Sequence, residues 1–197
     1  LSLEEALTLA KDAFGTWSGG ARPPASIPKP QPVGPGKVFL IDRQDAAQTM
    51  VVQVLSAPPR KSNEYFALRL ADAVWCGARG RLNLNLMEEK GYTYWVSSFP
   101  ALFSTAGAWR AWATVQTDKT KESVVEFLKE LSFLAGEKPP TAEEVAHAKA
   151  NQVRGYAQQF VTLDRVAGQV AELWAFGLPM SELQREPAEL ERTSLAA

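Results

Sequence analysis

Between residues 21 and 36 the chain carries six prolines, at positions 23, 24, 28, 30, 32 and 35. Proline removes a backbone donor and fixes φ, so neither a helix nor an interior strand can run through this stretch. It reads as an extended linker, and the domain boundary falls there. The fold must therefore be built from residues 37–197, with a short helical appendage in front. An apolar fraction of 46% gives that stretch enough material for a sizeable core.

The appendage places Leu3, Ala6, Leu7, Ala10, Phe14 and Trp17 at spacings of three and four. This predicts an amphipathic helix over 3–17, N-capped by Ser2 and stopped by Gly19-Gly20. After the linker, Lys37–Asp42 reads as a short buried strand and Gln48 to about Ser56 as a second, closed by Pro58-Pro59. Asn63–Trp75 is helical by pattern, with Tyr65, Leu68, Ala71, Ala73 and Val74 as core positions. A short helix over 81–90 ends at Gly91, a good left-handed C′ residue. Aromatic-rich strands follow at 92–103 and 108–117, the second with Trp109, Ala111, Ala113 and Val115 on one face. Helices are expected at 120–134, 141–159 and 163–176, the middle one opened by a Thr141/Glu144 capping box. Four strands interrupted and followed by helices imply an α+β fold, its antiparallel or mixed sheet packed on one face by helices.

The chemical inventory excludes more than it offers. A net charge of -1 gives no reason to expect nucleic acid or an anionic membrane as partner. No apolar run approaches the roughly 18 residues of a membrane span. The start, Leu1-Ser2-Leu3-Glu4-Glu5, lacks both a signal-peptide pattern and an initiator methionine, so a processed or excised chain is expected. Cys76 is the sole cysteine and His147 the sole histidine. Neither H-E-x-x-H nor H-x-x-E-H can occur, and no zinc-finger set exists. P-loop and dinucleotide fingerprints are missing too. His147 reads as a plain helix residue, with Glu143 as its solvated neighbour. Glu88 and Glu89 project about 100° apart on a helix and make a poor catalytic pair.

The positive feature is the run Gly80-Arg81-Leu82-Asn83-Leu84-Asn85-Leu86-Met87-Glu88-Glu89-Lys90-Gly91-Tyr92-Thr93-Tyr94-Trp95. A helix ends at a glycine and passes straight into a strand that begins with two tyrosines. On residue chemistry alone Leu82, Leu86 and Tyr94 fill core while Glu88, Glu89 and Lys90 face solvent. The aromatic residues Trp95, Phe99, Phe103, Trp109 and Trp112 divide between the core and another surface in a way the pattern does not sort.

This run resembles the C-terminal half of the pitrilysin/insulinase-type zinc metallopeptidases, the superfamily of the mitochondrial processing peptidases. Members read there as S-R-L-N-x-x-L-R-E-x-x-G-Y-x-Y after a small residue. Asp42 with Ala46-Ala47-Gln48, Gly107, Thr117-Asp118-Lys119-Thr120, Pro139-Pro140-Thr141-x-x-Glu144 and Gly177-Leu178-Pro179 also fit, so the resemblance covers about residues 37–190. It implies that residues 1–20 resemble the end of a preceding N-terminal half and 21–36 the connector between halves. It further implies that 37–197 form an inactive peptidase-like domain truncated at its end.

In that family two similar halves enclose an unfolded peptide. The N-terminal half holds zinc through H-x-x-E-H and a distant Glu, while the C-terminal half holds no metal. The latter contributes an Arg and a Tyr that donate to substrate carbonyls or the developing oxyanion. The resemblance implies, position by position, that Tyr94 takes the tyrosine place and Met87 the arginine place. Methionine has neither charge nor donor, and losing one transition-state donor costs on the order of 3 kcal/mol. Arg81 projects about 120° away from Met87 on a helix and matches a different, structural Arg.

The resemblance thus implies a chain that is no enzyme alone: a substrate-enclosing domain of a zinc metalloendopeptidase, with zinc in a catalytic half or partner subunit. The alternative is a decayed scaffold subunit of the same fold partnering a catalytic one. The expected partners are an N-terminal catalytic half or homologous subunit and a peptide. The expected compartment is bacterial cytoplasm or periplasm.

Overall fold

The computed structural model describes residues 1–20 and 36–194. The linker and the domain boundary expected at 21–36 fall almost wholly outside the described residues. Helix α1 (Leu3–Phe14) starts as expected, with the Ser2 hydroxyl accepting from Glu5 N–H and the Glu5 carboxylate accepting from Ser2 N–H. It ends earlier than the periodicity predicts. The Gly15 N–H closes onto the Lys11 carbonyl, and Trp17 lies beyond the helix with its ring against Phe14. No residue of α1 is buried.

Three strands form one antiparallel sheet of order β1-β3-β2: β1 (Gln48–Ala57), β2 (Thr93–Leu102) and β3 (Gly107–Gln116). The strand expected at Lys37–Asp42 does not form, and Val38, Phe39, Leu40 and Ile41 are 84–90% exposed. The apolar run is the right composition for a strand, but none of the described residues pairs with it. Among the described residues the sheet therefore has three strands where four were expected.

The buried face of the sheet carries the alternation read from the sequence. Trp109, Ala111, Ala113 and Val115 are all buried, with Val51 and Val96 from the flanking strands. Against this face pack α2 (Tyr65–Cys76), the short helix α3 (Arg81–Asn83) with the π-helical turn Leu84–Glu89 that continues it, and α4 (Thr120–Ser132). The small side chains of Ala111 and Ala113 let the helices sit close, and Trp75 meets Trp109 edge to face at 4.8 Å. In α2 the core positions are Phe66, Leu70, Val74, Trp75 and Cys76. Of the positions expected to be buried there, Val74 is, while Tyr65, Leu68, Ala71 and Ala73 are half-buried.

A second cluster joins Phe66, Leu70 and Val74 to Ala148 of α5 (Ala142–Tyr156) and Leu190 of α7 (Glu182–Arg192). The Thr141/Glu144 capping box of α5 forms as expected. Helix α6 (Leu163–Phe176) ends at Gly177, whose φ of 59° is left-handed and whose carbonyl accepts from Lys61 Nζ at 3.1 Å. Helix α7 lies past the last element read from the sequence. Its interior Pro187 argues against a helix, yet burial of Leu190 and the Arg69–Glu186 ion pair hold it to α2.

The other face of the sheet is uncovered by any helix among the described residues. It carries Met50, Val52 and Val54 from β1, Trp95 and Phe99 from β2, and Trp112 from β3. The structure thereby sorts the aromatic residues. Trp109 belongs to the core, whereas Trp95, Phe99 and Trp112 belong to the open face.

Candidate functional site

The run from Gly80 to Trp95 folds as a helix, a turn and the start of β2. Gly80 is required by close packing, since a Cβ there would lie 2.5 Å from the Gly77 nitrogen and 2.7 Å from that of Cys76. Leu82 and Leu86 are fully buried, as the sequence suggests. The helix widens into a π-helical turn over Leu84–Glu89, and the Lys90 N–H closes onto the Asn85 carbonyl at 3.1 Å. Gly91 follows at φ 64°, the left-handed C′ residue expected. The Tyr92 N–H then returns to the Leu86 carbonyl at 2.8 Å, so the turn and the strand are bound together.

The first residues of β2 are irregular. Thr93 stands opposite Val115 and Val96 opposite Ala113, so β2 has one residue more than β3 between the two pairs. That is a β-bulge at Tyr94–Trp95. Thr93 is buried, and its hydroxyl donates to the Thr114 carbonyl at 2.7 Å and accepts from Trp95 N–H at 3.2 Å. Tyr94 is 92% exposed, so the bland reading of this tyrosine as core is overturned. The bulge takes a residue that simple alternation would place inside or against a neighbour and turns it to solvent. Met87 is half-buried on the π-helical turn. Both candidate positions thus lie on the two arms of one turn, each on a local distortion of regular structure.

Asn83 holds these arms in place. It is buried, its Oδ1 accepts from Val96 N–H at 3.3 Å, and its Nδ2 lies 3.4, 3.2 and 3.0 Å from the carbonyls of Val96, Cys76 and Gly77. One side chain therefore ties the end of α2, the end of α3 and the edge of β2. Arg81 points the other way, to Glu144 of α5, with Nε–Oε1 at 2.6 Å and Nη2–Oε2 at 2.7 Å. It also donates to the carbonyls of Lys138 and Pro139. The Arg81 guanidinium and the Thr141 N–H hold the Glu144 carboxyl down to about 2, against an opposing push from burial.

A cleft of about 790 Å³ lies between α2, α5 and the edge of β2, lined in part by Asp72, Cys76, Ser98, Glu143 and His147. Asp72 was not singled out by the sequence; nothing in the α2 pattern marks it beyond a carboxylate in an apolar helix. Burial pushes its carboxyl upward, opposed by hydrogen bonds from Ser98 and Trp109 and by the Arg69 charge. Burial also pushes the Cys76 thiol up, away from the thiolate that nucleophilic chemistry needs. His147 and Glu143 are exposed on α5, as plain helix residues are. Among the described residues no three His, Cys, Asp or Glu side chains gather into a metal-holding group. No helix there is long and apolar enough to cross a membrane.

The family model of the peptidase M16 inactive domain matches residues 1–152. The chain belongs to that family. This is the group that the Gly80–Trp95 run resembles, and the three-stranded sheet with its helices on one face is an α+β fold of the same kind as the solved inactive domains. The structure is similar to the peptidase M16 inactive domain from Pseudomonas fluorescens, with 18% identity over 76% of this chain and 36% of that one, and a TM-score of 0.68. A protease from Helicobacter pylori matches over 99% of this chain and 48% of its own, at 15% identity and a TM-score of 0.73. The inactive peptidase domain of a zinc protease from Bordetella parapertussis matches over 76% of this chain and 82% of its own, at 20% identity and a TM-score of 0.57. No curated protein matches. The chain spans less than half the length of the first structures it matches.

Proposed function

We propose that this M16 inactive domain is the substrate-enclosing, non-catalytic part of a zinc-dependent peptidase acting on peptides or unfolded segments. The zinc would be held by an N-terminal catalytic half or by a homologous partner subunit. In this reading α1 closes the preceding half, residues 21–36 connect the halves, and 37–197 form the assisting domain. The observation that carries the proposal is the exposure of Tyr94, which by resemblance matches the family's tyrosine and stands 92% exposed on a bulge. A phenol so placed can donate to a peptide carbonyl or to a developing oxyanion.

Met87 favours a second reading. A thioether supplies neither charge nor N–H, so the arginine's contribution is lost. A scaffold subunit that partners a catalytic one would tolerate that loss.

Zinc-dependent cleavage of a quenched fluorescent peptide library separates the two. The assay uses this chain alone and the whole protein, the latter as wild type, Met87→Arg and Tyr94→Phe. The chain alone is expected to be inert, and chelator-sensitive turnover by it would overturn both readings. Cleavage by the whole protein that Tyr94→Phe slows supports the assisting domain. An inert whole protein that Met87→Arg fails to revive supports the scaffold.

A further inference from the structure

Two registers meet in β2. The Phe103 N–H bonds the Ala106 carbonyl, and from that end the hydrogen-bonded pairs run through Phe99–Arg110 and Ser97–Trp112. The next pair on that register is Trp95 with Thr114. From the other end, the Gln116 N–H bonds the Tyr92 carbonyl at 3.0 Å and Thr93 stands opposite Val115. Continued by one residue, this second register sets Tyr94 opposite Thr114. Tyr94 and Trp95 therefore both face Thr114, and β2 has one residue to spare.

Neither end of this segment is free to slide. The Tyr92 N–H is held by the Leu86 carbonyl at 2.8 Å, and the Gln116 side-chain amide donates to the Gly91 carbonyl at 3.2 Å. On the far side Asn83 holds both backbone groups of Val96. The spare residue has to be taken up between Tyr92 and Val96.

Thr93 takes it up. Its side chain is buried, and its Oγ1 stands between two ladder groups, accepting from the Trp95 N–H at 3.2 Å and donating to the Thr114 carbonyl at 2.7 Å. In an unbroken ladder Trp95 and Thr114 would exchange bonds directly. The hydroxyl bridges the gap that the extra residue opens and gives both groups a partner. The same threonine decides which way Tyr94 points. Were the Val96 register to run on unbroken, Tyr94 would stand opposite Val115, whose side chain is fully buried. The phenol would then turn inward and Thr93 outward, because a slip of one residue exchanges the two faces.

We propose that Thr93 is a positioning residue for Tyr94: by bridging Trp95 to Thr114, its hydroxyl keeps the register that turns the phenol outward. Valine in its place keeps the volume and the branching but offers neither acceptor nor donor. Serine keeps the hydroxyl and loses one methyl group. The consequence for peptide cleavage rests on the reading of Tyr94 as a substrate donor, whereas the consequence for the orientation of Tyr94 does not.

The test compares the whole protein as wild type, Thr93→Val, Thr93→Ser, Tyr94→Phe and the double variant Thr93→Val with Tyr94→Phe. Nitration of Tyr94 by tetranitromethane, located by peptide mass spectrometry, reads the exposure of the ring, and hydrogen exchange reads the Trp95 N–H. Thr93→Val is expected to slow the nitration and to speed the exchange, each by about fivefold or more, as for one lost hydrogen bond. Thr93→Ser is expected to keep both close to wild type. Thr93→Val should also lower kcat/KM, yet lower it no further in the Tyr94→Phe background, a coupling that a general loss of structure would not produce. Unchanged nitration in Thr93→Val overturns the proposal. So does a loss of kcat/KM that is undiminished in the Tyr94→Phe background. An unprotected Trp95 N–H in the wild type overturns it without any variant. Slower nitration, with kcat/KM indifferent to both Thr93→Val and Tyr94→Phe, supports the positioning of the ring and refutes instead the donor role of Tyr94.

Discussion

The Tyr156 hydroxyl donates to the Leu183 carbonyl at 2.7 Å, from the last residue of α5 to the first turn of α7. Leu183 lies four residues before Pro187, so its carbonyl is the one that the proline, having no N–H, leaves unpaired within α7. A side chain from another helix thus supplies the donor that the proline removes. Leu190, fully buried one turn later, holds the remainder of α7 onto α2 and α5.

This pairing predicts a coupled pair of substitutions. Tyr156→Phe should destabilise the fold by about 1–2 kcal/mol, since the Leu183 carbonyl is then left without a partner. Pro187→Ala restores a helical N–H to that carbonyl. In the Pro187→Ala background the cost of Tyr156→Phe should shrink by at least about half. A thermal or urea double-mutant cycle measures this, and additive costs would refute the exchange of donors.

Arg81 and Glu144 predict an acid-sensitive step. The folded Glu144 carboxyl is depressed to about 2 from its ordinary value of 4.5, chiefly by the Arg81 guanidinium. A depressed acid stabilises the fold above its unfolded value and loses that contribution as pH falls through the folded one. The stability gap between wild type and Glu144→Gln should therefore be widest above about pH 5 and narrow toward pH 2. Asp72 acts oppositely, because its carboxyl is raised by burial and its protonation favours the fold. Comparing urea midpoints of the two proteins across this range isolates the Glu144 part. A gap that does not vary with pH would contradict it.

These two pairs show what was legible in the sequence and what was not. The Thr141/Glu144 cap, Gly91 at a positive φ, and the buried face of β3 could all be read because each is local, set by residues within a turn or a strand. Lys37–Asp42 forms no strand although its composition suits one, because strand formation depends on a distant partner edge. Helix α7 was missed because Pro187 speaks against it locally, and its compensation by Tyr156 and Leu190 comes from elsewhere in the chain. At the site, the run from Gly80 to Trp95 stood out, but the bulge that exposes Tyr94 leaves no local mark. It arises from a register set by Thr93 and Val96 against β3. In the sequence Asn83 is one position of a motif, and the structure gives it a task.

That task predicts a cost out of proportion to side-chain size. Asn83→Ala removes the partner of the Val96 N–H and the donor to three surrounding carbonyls, all at a buried position. A loss of about 2–4 kcal/mol is expected, with faster hydrogen exchange at Val96. Asn83→Asp keeps the acceptor for the Val96 N–H while losing the donors. It should protect that amide better than Asn83→Ala even where overall stability is no higher. Equal exchange at Val96 in both variants would show that the side chain does not hold the strand edge.

Tyr94 predicts the reverse: function without stability. Its side chain is almost fully exposed, and no hydrogen bond from its hydroxyl to the rest of the described chain is present. Tyr94→Phe should therefore change the thermal midpoint by no more than a degree or two, the surface-substitution range of about 0.5 kcal/mol. If the phenol donates to substrate, the same change should lower kcat/KM for peptide cleavage by the whole protein, by roughly tenfold (about 1.4 kcal/mol) for a donor to a ground-state carbonyl and by roughly a hundredfold or more (about 3 kcal/mol) for a donor to the developing oxyanion. Tyr94→Phe with unaltered stability and unaltered kcat/KM in an active whole protein would leave the exposed ring without the donor role. Restoring a cation with Met87→Arg in that protein should then raise kcat/KM only where a substrate carbonyl lies within reach of both arms of the turn. A rise with Met87→Arg and a fall with Tyr94→Phe together would locate the peptide over the segment from Leu84 to Trp95, which neither variant alone can do.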